Sequence, residues 1–322
     1  MRMTRSWPWL FAGLFLAVGC ARHPGIPRVA VIGFFQAQVF DDVLVGLLEE
    51  LAASGYVDGK SIQVIVKDAG GDPTAAARIS RQFAAGKVDA IVPMGTAAAQ
   101  SAVKATQTIP VVFCAVTNPV GEGIVDSLVH PGGNRTGATD CWPYDKQAKL
   151  IRDLLPRARK VGIICDSNMM HSQFVLGKAK PALEKYRLES VPVPLAATDN
   201  ILAAVRSLAG RMDALLVPAD FAPPPAFDII NKAAIEQRIP LFTDNVGGLE
   251  NGAIAGYIVN YKLVGRVTGR LLVKILKEKA YPGGLPVTVD SGSDLIINLG
   301  AARKQGVEIP AAVMAAAARV IR

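Results

Sequence analysis

Short apolar runs alternate with amphipathic, alanine-rich stretches along almost the whole chain. In the first half, the apolar runs cover residues 29–35, 61–69, 88–95 and 109–116, and helical stretches lie between them at 40–54, 74–86 and 96–107. Strands that are apolar throughout, rather than at every second position, are typical of parallel sheets covered on both faces. The pattern therefore predicts a doubly wound α/β unit.

The second half of the chain repeats this pattern. Its apolar runs cover residues 160–165, 189–196, 212–219 and 239–243, again with helical stretches between them. The repeat reaches single residues, because VDAIVP at 88–93 resembles MDALLVP at 212–218, and Ile-Pro opens a run at both 109 and 239. We therefore predict two similar Rossmann-like doubly wound lobes.

Several chain crossings are expected to join the two lobes. The Pro- and Gly-rich stretch 130–137 is the expected first crossover, and later segments predict a helix at 262–279, a strand at 294–299 and an Ala-rich C-terminal helix. We place residues 28–138 and 260–288 in lobe 1, and residues 139–259 and 289–322 in lobe 2. A multi-crossover hinge of this kind leaves a cleft between the lobes.

The N-terminus has the pattern of a lipoprotein signal peptide. Arg2 and Arg5 precede an apolar run at 7–18 that is shorter than the roughly 20 residues needed to span a bilayer. Small residues then precede Cys20, the predicted lipidation site. We predict a signal peptide at 1–19, a tether at 20–27 and an exported protein anchored by lipid. An ordinary secretory peptide cut nearby is the alternative, and it also implies export.

Length and charge narrow the class of protein. The chain has 322 residues, and removing the leader leaves roughly 300, more than one hydrophobic core usually serves. The formal net charge is +8 at pH 7, but the basic residues are spread along the chain rather than clustered in a stripe. This distribution argues against nucleic acid as a partner.

The cysteines and the search for known motifs give little support for a metal site or an active site. Beyond Cys20, the cysteines are Cys114, Cys141 and Cys165, without CxxC or zinc-ligand spacing. Cys114 and Cys165 lie in apolar runs and are expected to be buried hydrophobes, while a bridge between Cys114 and Cys141 stays open as an alternative. The catalytic and nucleotide-binding motifs HExxH, GxSxG and GxGxxG do not occur. We predict a binding protein, with no enzymatic activity, metal or cofactor.

The carboxyl ends of the predicted strands supply the candidate ligand-binding residues. In open parallel sheets, ligands bind beyond these ends, where loops and helix N-termini meet. The candidates selected by this rule are Phe34, Gln36, Gly95, Thr96, Ala97, Thr117, Asn118, Asp166, Asn168, Asp220, Phe221 and Asp244.

Within this set, an acid in one lobe and an anion site in the other would suit an α-amino acid. The helix that begins near Thr96 could bind a carboxylate through free backbone N–H groups, or Thr96 could simply cap that helix. Asp220 or Asp244 could hold an ammonium group, or each could be a turn or cap residue. Trp142 and Tyr144 could contact an apolar side chain or pack the hinge.

Five segments together resemble one family. They are GYVDGKSIQV at 55–64, IPVVFCAVTNPVGEG at 109–123, PGGNRTG at 131–137, VPAD at 217–220 and NGAIAGYIVNYKLVGR at 251–266. The chain is similar, from about residue 29 to residue 309, to the ABC-transporter substrate-binding proteins of the tryptophan/tyrosine-binding type. The resemblance implies the type I periplasmic-binding-protein fold, a small ligand, and docking onto an ABC permease with its ATPase.

The same resemblance places Thr96, Thr117, Asn134, Asp220 and Asp244 at or near the cleft. The chain departs from the family pattern at Gln36, Met169 and His171, so an aromatic amino acid is a lead for the ligand and not a conclusion. We expect a monomeric solute-binding lipoprotein of an ABC importer. An exported protein that signals to a membrane receptor, and less so a cleft enzyme, are the alternatives.

Overall fold

The computed structural model describes residues 26–34, 37–165, 170–195, 200–218, 224–289 and 292–322. These residues form two sheets with helices packed against them. Apolar side chains alternate between the two faces of each sheet. In the first strand, for example, Val29 and Val31 join one buried cluster while Ala30 and Ile32 join another. Both faces of the strand are therefore core, as its continuous apolar sequence predicts.

The first sheet is wholly parallel. Its strands are β1 (Arg28–Gly33), β2 (Gln63–Asp68), β3 (Ala90–Pro93), β4 (Val111–Cys114) and β5 (Arg135–Ala138), in the order β2-β1-β3-β4-β5. The helices that connect them are α1 (Ala37–Ala53), α2 (Pro73–Ala85) and α3 (Thr96–Ala105). This is the doubly wound α/β arrangement predicted for the first half of the chain.

The second sheet has seven strands. They are β6 (Lys160–Cys165), β7 (Glu189–Pro194), β8 (Ala214–Val217), β9 (Leu241–Thr243), β10 (Ala255–Val259), β11 (Ser293–Asn298) and β12 (Arg319–Ile321). Their order is β12-β11-β10-β9-β8-β6-β7, and only the β10–β11 pairing among them is antiparallel.

The remaining helices complete the two layers. They are α4 (Tyr144–Leu154), α5 (Met170–Lys185), α6 (Ile201–Arg206), α7 (Pro224–Glu236), α8 (Val246–Glu250), α9 (Tyr261–Glu278), α10 (Leu299–Lys304) and α11 (Ala311–Ala315), with a short 3₁₀ helix at Pro282–Gly284.

The predicted internal repeat is confirmed strand by strand. The order β7-β6-β8-β9-β10 in the second sheet reproduces β2-β1-β3-β4-β5 in the first. The repeated Asp also has the same role in both. The Asp89 carboxylate accepts a hydrogen bond from the backbone N–H of Arg28 (2.7 Å), and that of Asp213 accepts from Arg159 (2.7 Å) and Lys160 (2.8 Å). Each Asp fixes the start of the first strand of its repeat.

The two repeats exchange their last helices. Helix α4 follows β5 of the first sheet but packs on α5 and β10, while α9 follows β10 of the second sheet but packs on α1, β4 and β5. The α1–α9 contact depends on glycine, because a Cβ atom on Gly46 would lie 1.9 Å from the Lys262 carbonyl oxygen and one on Gly265 would lie 2.0 Å from that of Val43. Each sheet is therefore packed by a helix that follows the last strand of the other repeat.

Two segments differ from the prediction. The end of the expected crossover at 130–137 belongs to β5, because Arg135–Ala138 pairs with β4, and the chain crosses to the second sheet after this strand. The expected Ala-rich C-terminal helix is only the five-residue α11, after which Arg319–Ile321 pairs with β11. The alanines favour a longer helix, but pairing of the last strand with β11 outweighs this propensity and the helix stays short. The exact lobe boundaries stay a prediction.

Candidate functional site

A cleft lies where the carboxyl ends of strands from both sheets meet. The cleft and the open space at its mouth together measure about 550 Å³. Among the described residues, those that line it are Thr117, Asp140, Trp142, Tyr144, Val175, Pro218, Asp244, Ile258, Val259 and Tyr261. Four of the polar ones stand within three residues of the end of a strand: Thr117 follows β4, Asp140 follows β5, Asp244 follows β9 and Tyr261 follows β10. The cleft therefore obeys the rule for ligand sites in open α/β sheets.

On the side of the first sheet, Asp140 is the centre of a polar group. The Thr117 hydroxyl donates to Asp140 Oδ1 at 2.8 Å, and the Tyr261 hydroxyl oxygen lies 3.5 Å from Oδ2. The turn that brings Thr117 there begins with Ala115, a buried residue with a φ of +53°. A left-handed backbone at a residue other than glycine costs free energy, so this turn is held by its surroundings.

Two aromatic rings form one wall of the cleft. Trp142 and Tyr144 meet edge to face, with ring centroids 5.5 Å apart and planes at 89°. Both are more than nine-tenths buried and belong to the core cluster beneath β6 and β10. The two roles considered for these residues are thus compatible, because the rings pack the core and also face the cleft. Such an edge-to-face pair is a rigid apolar surface.

On the side of the second sheet, the turn after β9 separates structural from cleft residues. The Thr243 hydroxyl donates to the Val217 carbonyl oxygen at 2.7 Å, which ties β9 to β8. Asn245 caps α8, since its Oδ1 accepts from the backbone N–H of Gly248 at 3.0 Å. Asn245 therefore has the capping role that we considered for Asp244, and Asp244 lines the cleft.

Of the predicted residues that the structure describes, Thr117 and Asp244 line the cleft. Gly95 is the N-cap of α3 with a φ of +92°, so Thr96 begins that helix and does not cap it. Ala97 lines a separate groove between α2 and α3. Asn118 closes a turn, because its Oδ1 accepts from the backbone N–H of Gly121 at 3.1 Å. Phe34 packs against a buried cluster of the first sheet.

Other predictions have different outcomes. The Asn134 amide donates to the carbonyl oxygens of Thr106 and Ile109, at the amino end of β5, so the resemblance places this residue wrongly near the cleft. The predicted residues Cys20, Gln36, Asp166, Asn168, Asp220 and Phe221 lie outside the described residues. Their roles stay predictions.

Sequence reasoning missed Asp140 and Tyr261. The rule that selected Thr117 and Asp244 would also have found them, since each stands two positions beyond the fifth strand of its repeat, β5 or β10. The strand before Asp140 has only four residues, RTGA, and two of them are Arg and Gly. It lacks the apolar signal used to find strands.

The described cysteines, Cys114, Cys141 and Cys165, are not joined in disulfide bonds. Cys114 and Cys165 are buried, as expected, and Cys141 is half-buried, so the alternative of a Cys114–Cys141 bridge is not found. Burial raises the pKa of the Cys114 thiol to about 12 and also raises the pKa of the Cys141 thiol. Within the described ranges, His, Cys, Asp and Glu side chains form no group of three or more that could hold a metal ion. A search of the same ranges for a helix long and apolar enough to cross a membrane found none.

Comparison with known proteins identifies the kind of cleft. The family model described as ABC transporter substrate binding protein matches residues 28–321. The chain belongs to this family. It is 32% identical over 300 residues to a "Tyrosine-binding protein" of Clostridioides difficile, covering 89% of this chain and 87% of the relative.

Two solved structures of the same kind cover almost the whole of this family member. The ligand-free, open structure of a substrate-binding protein with adhesive properties from Clostridium difficile has a TM-score of 0.84 and 28% identity, covering 92% of this chain and 99% of that one. The ABC domain in complex with L-Trp from Streptococcus pneumoniae has a TM-score of 0.73 and 29% identity, covering 92% and 100%.

These likenesses confirm the predicted fold and class. The protein is a two-lobed member of the type I periplasmic-binding-protein fold. The family and its relatives bind solutes and are not enzymes, so the prediction of binding without turnover is also confirmed.

Proposed function

We propose that this substrate-binding protein captures a small organic ligand, an aromatic or other apolar amino acid, in the cleft between its lobes. The observation that carries the proposal is the composition of the cleft, where the Trp142–Tyr144 pair and Tyr261 supply apolar area beside the carboxylates of Asp140 and Asp244. An apolar body fits the rings and an ammonium group fits the carboxylates. The names of the relatives, a tyrosine-binding protein and a complex with L-Trp, support the same ligand class.

We also propose that the conformation described here is the open one. The two solved relatives are almost equally identical to this chain, at 28% and 29%, yet the TM-score is 0.84 for the open, ligand-free structure and 0.73 for the L-Trp complex. Sequence divergence does not account for such a difference. Closing of the lobes around the ligand would then bring the Asp244 side of the cleft towards the Asp140 side.

The family and the leader support a proposed role in the cell. The protein is exported, anchored through lipid on Cys20, and delivers its ligand as a monomer to an ABC permease and ATPase. The family match supports the transport role, and the apolar leader before Cys20 supports export and anchoring.

The first test is binding by a soluble chain that begins at Ala21. A ligand that binds only the folded state raises the free energy of unfolding by about 2.7 kcal/mol when present at 100 times its Kd. We expect L-tyrosine, L-tryptophan or L-phenylalanine to raise the melting temperature, with a neutral sugar as the control. If no amino acid does so while another solute does, the ligand class is wrong and the role as a binding protein stands.

The anchor needs a separate test. We expect the full chain to fractionate with membranes. We expect Cys20→Ser to be released from them, because serine has no thiol to form the thioether bond with the diacylglyceryl group. Cys141→Ser is the matched control, since it removes a cysteine of the folded body. Membrane association of Cys20→Ser would contradict lipid anchoring at this residue.

A further inference from the structure

We propose that the amino edge of the first sheet, where its strands begin, is a membrane-contact surface that rests on anionic phospholipid headgroups. The cleft lies at the opposite edge of this sheet and stays open to solute. The proposal rests on the export and lipid anchoring proposed above, and it adds the face of the protein that meets the bilayer. It is supported by the position of the tether, the charges gathered at this edge and the apolar side chains exposed beside them.

The predicted tether joins the molecule at this edge. The pairings of the first sheet are all parallel, so its five strands begin at one edge and end at the other, on the side of the cleft. Strand β1 begins at Arg28, two residues after Ile26. Ile26 is six residues after Cys20, and six residues span at most about 22 Å. Lipid on Cys20 would therefore hold the amino edge of the first sheet close to the bilayer.

Basic residues that lie far apart in the sequence meet at this edge. The Arg28 guanidinium donates to the Gly86 carbonyl oxygen at 3.0 Å and to Gln63 Oε1 at 3.1 Å. The first contact brings the turn of Lys87 to one side of β1, and the second brings the turn of Lys60, which precedes β2, to the other side. Both lysines are exposed. Three separate segments thus contribute positive charge to one end of the sheet.

Helix α9 ends at the same edge. It runs beside α1 in the same direction, because Gly46 faces Lys262 at one end of their contact and Glu50 faces Gly269 at the other. Helix α1 returns from the carboxyl edge of the sheet to the amino edge, so α9 also ends there. The end of α9 and its C-cap carry three exposed lysines, Lys274, Lys277 and Lys279.

The carboxylates described at this edge are fewer than the basic groups. They are those of Asp58, Asp89, Asp126 and Glu278. The first two each accept a hydrogen bond from a backbone N–H, at 2.8 and 2.7 Å, and Asp126 is paired with Arg135 at 3.8 Å. Five lysines and two arginines face these four carboxylates. Each basic residue close to an anionic lipid surface strengthens partitioning roughly fivefold, so such an excess attracts the edge to the membrane.

Large apolar side chains are exposed among these charges. Ile26, Val57 and Tyr281 are 43%, 40% and 64% exposed. Val57 lies in the turn before β2. Tyr281 follows α9 near the start of β5, since the Gly132 N–H donates to the Gly283 carbonyl oxygen at 3.3 Å. Lysines with their long apolar stems, together with exposed aliphatic and tyrosine side chains, suit the boundary between headgroups and acyl chains.

The amino edge of the second sheet shows that charge alone does not decide the matter. Arg157, Arg211 and Arg238 are exposed there, each in a turn before a strand. Positive side chains in such turns also stabilise the C-termini of the preceding helices. The large apolar side chains that are exposed in the described part of the chain lie elsewhere, and the tether joins the other sheet. The amino edge of the first sheet is the one that combines charge, apolar surface and tether.

The first test is binding of the soluble chain from Ala21 to lipid vesicles, measured by co-sedimentation. We expect binding to vesicles of equal parts phosphatidylcholine and phosphatidylglycerol, and at least about tenfold weaker binding to phosphatidylcholine alone. The chain should leave the anionic vesicles in about 1 M salt, where the Debye length is only about 3 Å.

Two matched triple variants connect this binding to the edge. Replacing Lys274, Lys277 and Lys279 together by glutamine should weaken binding to the anionic vesicles about 100-fold, as the product of three roughly fivefold effects. Replacing Arg157, Arg211 and Arg238 together by glutamine removes the same charge from the amino edge of the second sheet. This control should bind within about threefold of the unchanged chain. Circular dichroism and thermal melting check that both variants are folded.

A pair of fluorescent variants tests for direct contact with the lipid. Trp142 is the one natural tryptophan of the chain from Ala21, and it is buried. We expect the emission of Tyr281→Trp to move to shorter wavelength when anionic vesicles are added, because the new side chain enters the headgroup boundary. Ile229→Trp is the control, since Ile229 is an exposed apolar residue of α7, and its emission should not move.

Several outcomes would overturn the proposal. They are an absence of binding to anionic vesicles at low salt, an equal loss of binding in the two triple variants, and a shift for Ile229→Trp without one for Tyr281→Trp. Ligand binding and the lipid on Cys20 would stand in each case. Fractionating Cys20→Ser in about 1 M salt tests the anchor without help from this surface. If the lysine variant does not fold, the two tryptophan variants decide alone.

Discussion

The two repeats share one strand order, yet their equivalent positions have diverged where they face the ligand cleft. Asp140 stands two residues after the end of β5, and Tyr261 stands two residues after the end of β10. The repeat brings these equivalent positions together, with the phenol oxygen of one 3.5 Å from a carboxylate oxygen of the other. The comparison teaches that the fold supplies symmetric positions, while unequal side chains at those positions, a carboxylate and a phenol, make the two sides of the cleft chemically different.

The exchanged helices differ in a similar way. Helix α9 approaches α1 so closely that Gly46, Gly265 and Gly269 take the place of side chains, whereas α4 meets α5 through apolar side chains such as Ile151 and Leu183. Gly177 of α5 is exposed, with no atoms within 4 Å of where a Cβ would be, so it takes no part in the contact with α4. The lobe 1 interface is thus one of backbone contact, and the lobe 2 interface is one of ordinary side-chain packing.

The largest effect expected from this comparison is that of Gly265→Ala. The new Cβ would lie 2.0 Å from the Val43 carbonyl oxygen and 2.9 Å from the Leu47 nitrogen, so α9 must move away from α1. Overpacking of this kind costs about 1–3 kcal/mol, and we expect the upper part of that range because the obstacle is backbone. Urea unfolding of the soluble chain measures the loss. Unchanged stability would mean that the two helices are farther apart than the structure shows.

A pH-dependent effect, smaller at pH 10 than that of Gly265→Ala, distinguishes the fourth strand of the first repeat from that of the second. Strand β4 ends in the thiol of Cys114, and β9 ends in the hydroxyl of Thr243, which does not titrate. Burial raises the pKa of the Cys114 thiol from 9.0 to about 12, so the folded state keeps a proton that the unfolded chain loses above pH 9. The stability from this group is complete below pH 9 and falls by up to about 1.4 kcal/mol per pH unit between pH 9 and pH 12.

Comparison with Cys114→Ala isolates this thiol from the lysines and tyrosines that titrate over the same range. The variant carries a cavity cost that does not change with pH, so its free energy of unfolding should approach that of the wild type as the pH rises from 9 to 11. Guanidinium unfolding at intervals of half a pH unit gives the two curves. Parallel curves would contradict the raised pKa of Cys114.

Most of the fold could be predicted from the sequence, because the patterns that mark its strands and helices are local. Continuous apolar runs located β1 to β4 and β6 to β9, and the repeated Asp before β3 and β8 indicated that the halves were equivalent. Helix α9 was predicted to within one residue at each end. The short strand β5 was missed because RTGA carries too little apolar character, and the length of the C-terminal helix was wrong because pairing of β12 with β11 is a tertiary effect.

The candidate site was predictable only in part, for a related reason. Thr117 and Asp244 were found because their strands were found, and Asp140 was missed along with its strand. The direction of the Thr117 hydrogen bond was beyond prediction, since it depends on a partner 23 residues away. The sequence therefore indicated a cleft with an acid on one side and an anion site on the other, and the structure was needed to place Asp140 and Tyr261 in it.

The smallest effect expected from the comparison has the opposite sign. Gly177 lies inside α5, where glycine costs conformational entropy without relieving any contact. Replacing it with alanine should stabilise the folded state by about 0.5–1 kcal/mol, because alanine restricts the unfolded chain and meets no obstacle in the folded one. Urea unfolding under the conditions used for Gly265→Ala gives a direct contrast between the same substitution in two helices. If Gly177→Ala is also destabilising, then the position is not the unobstructed helical site that the structure shows, and Gly177 is no contrast to Gly265.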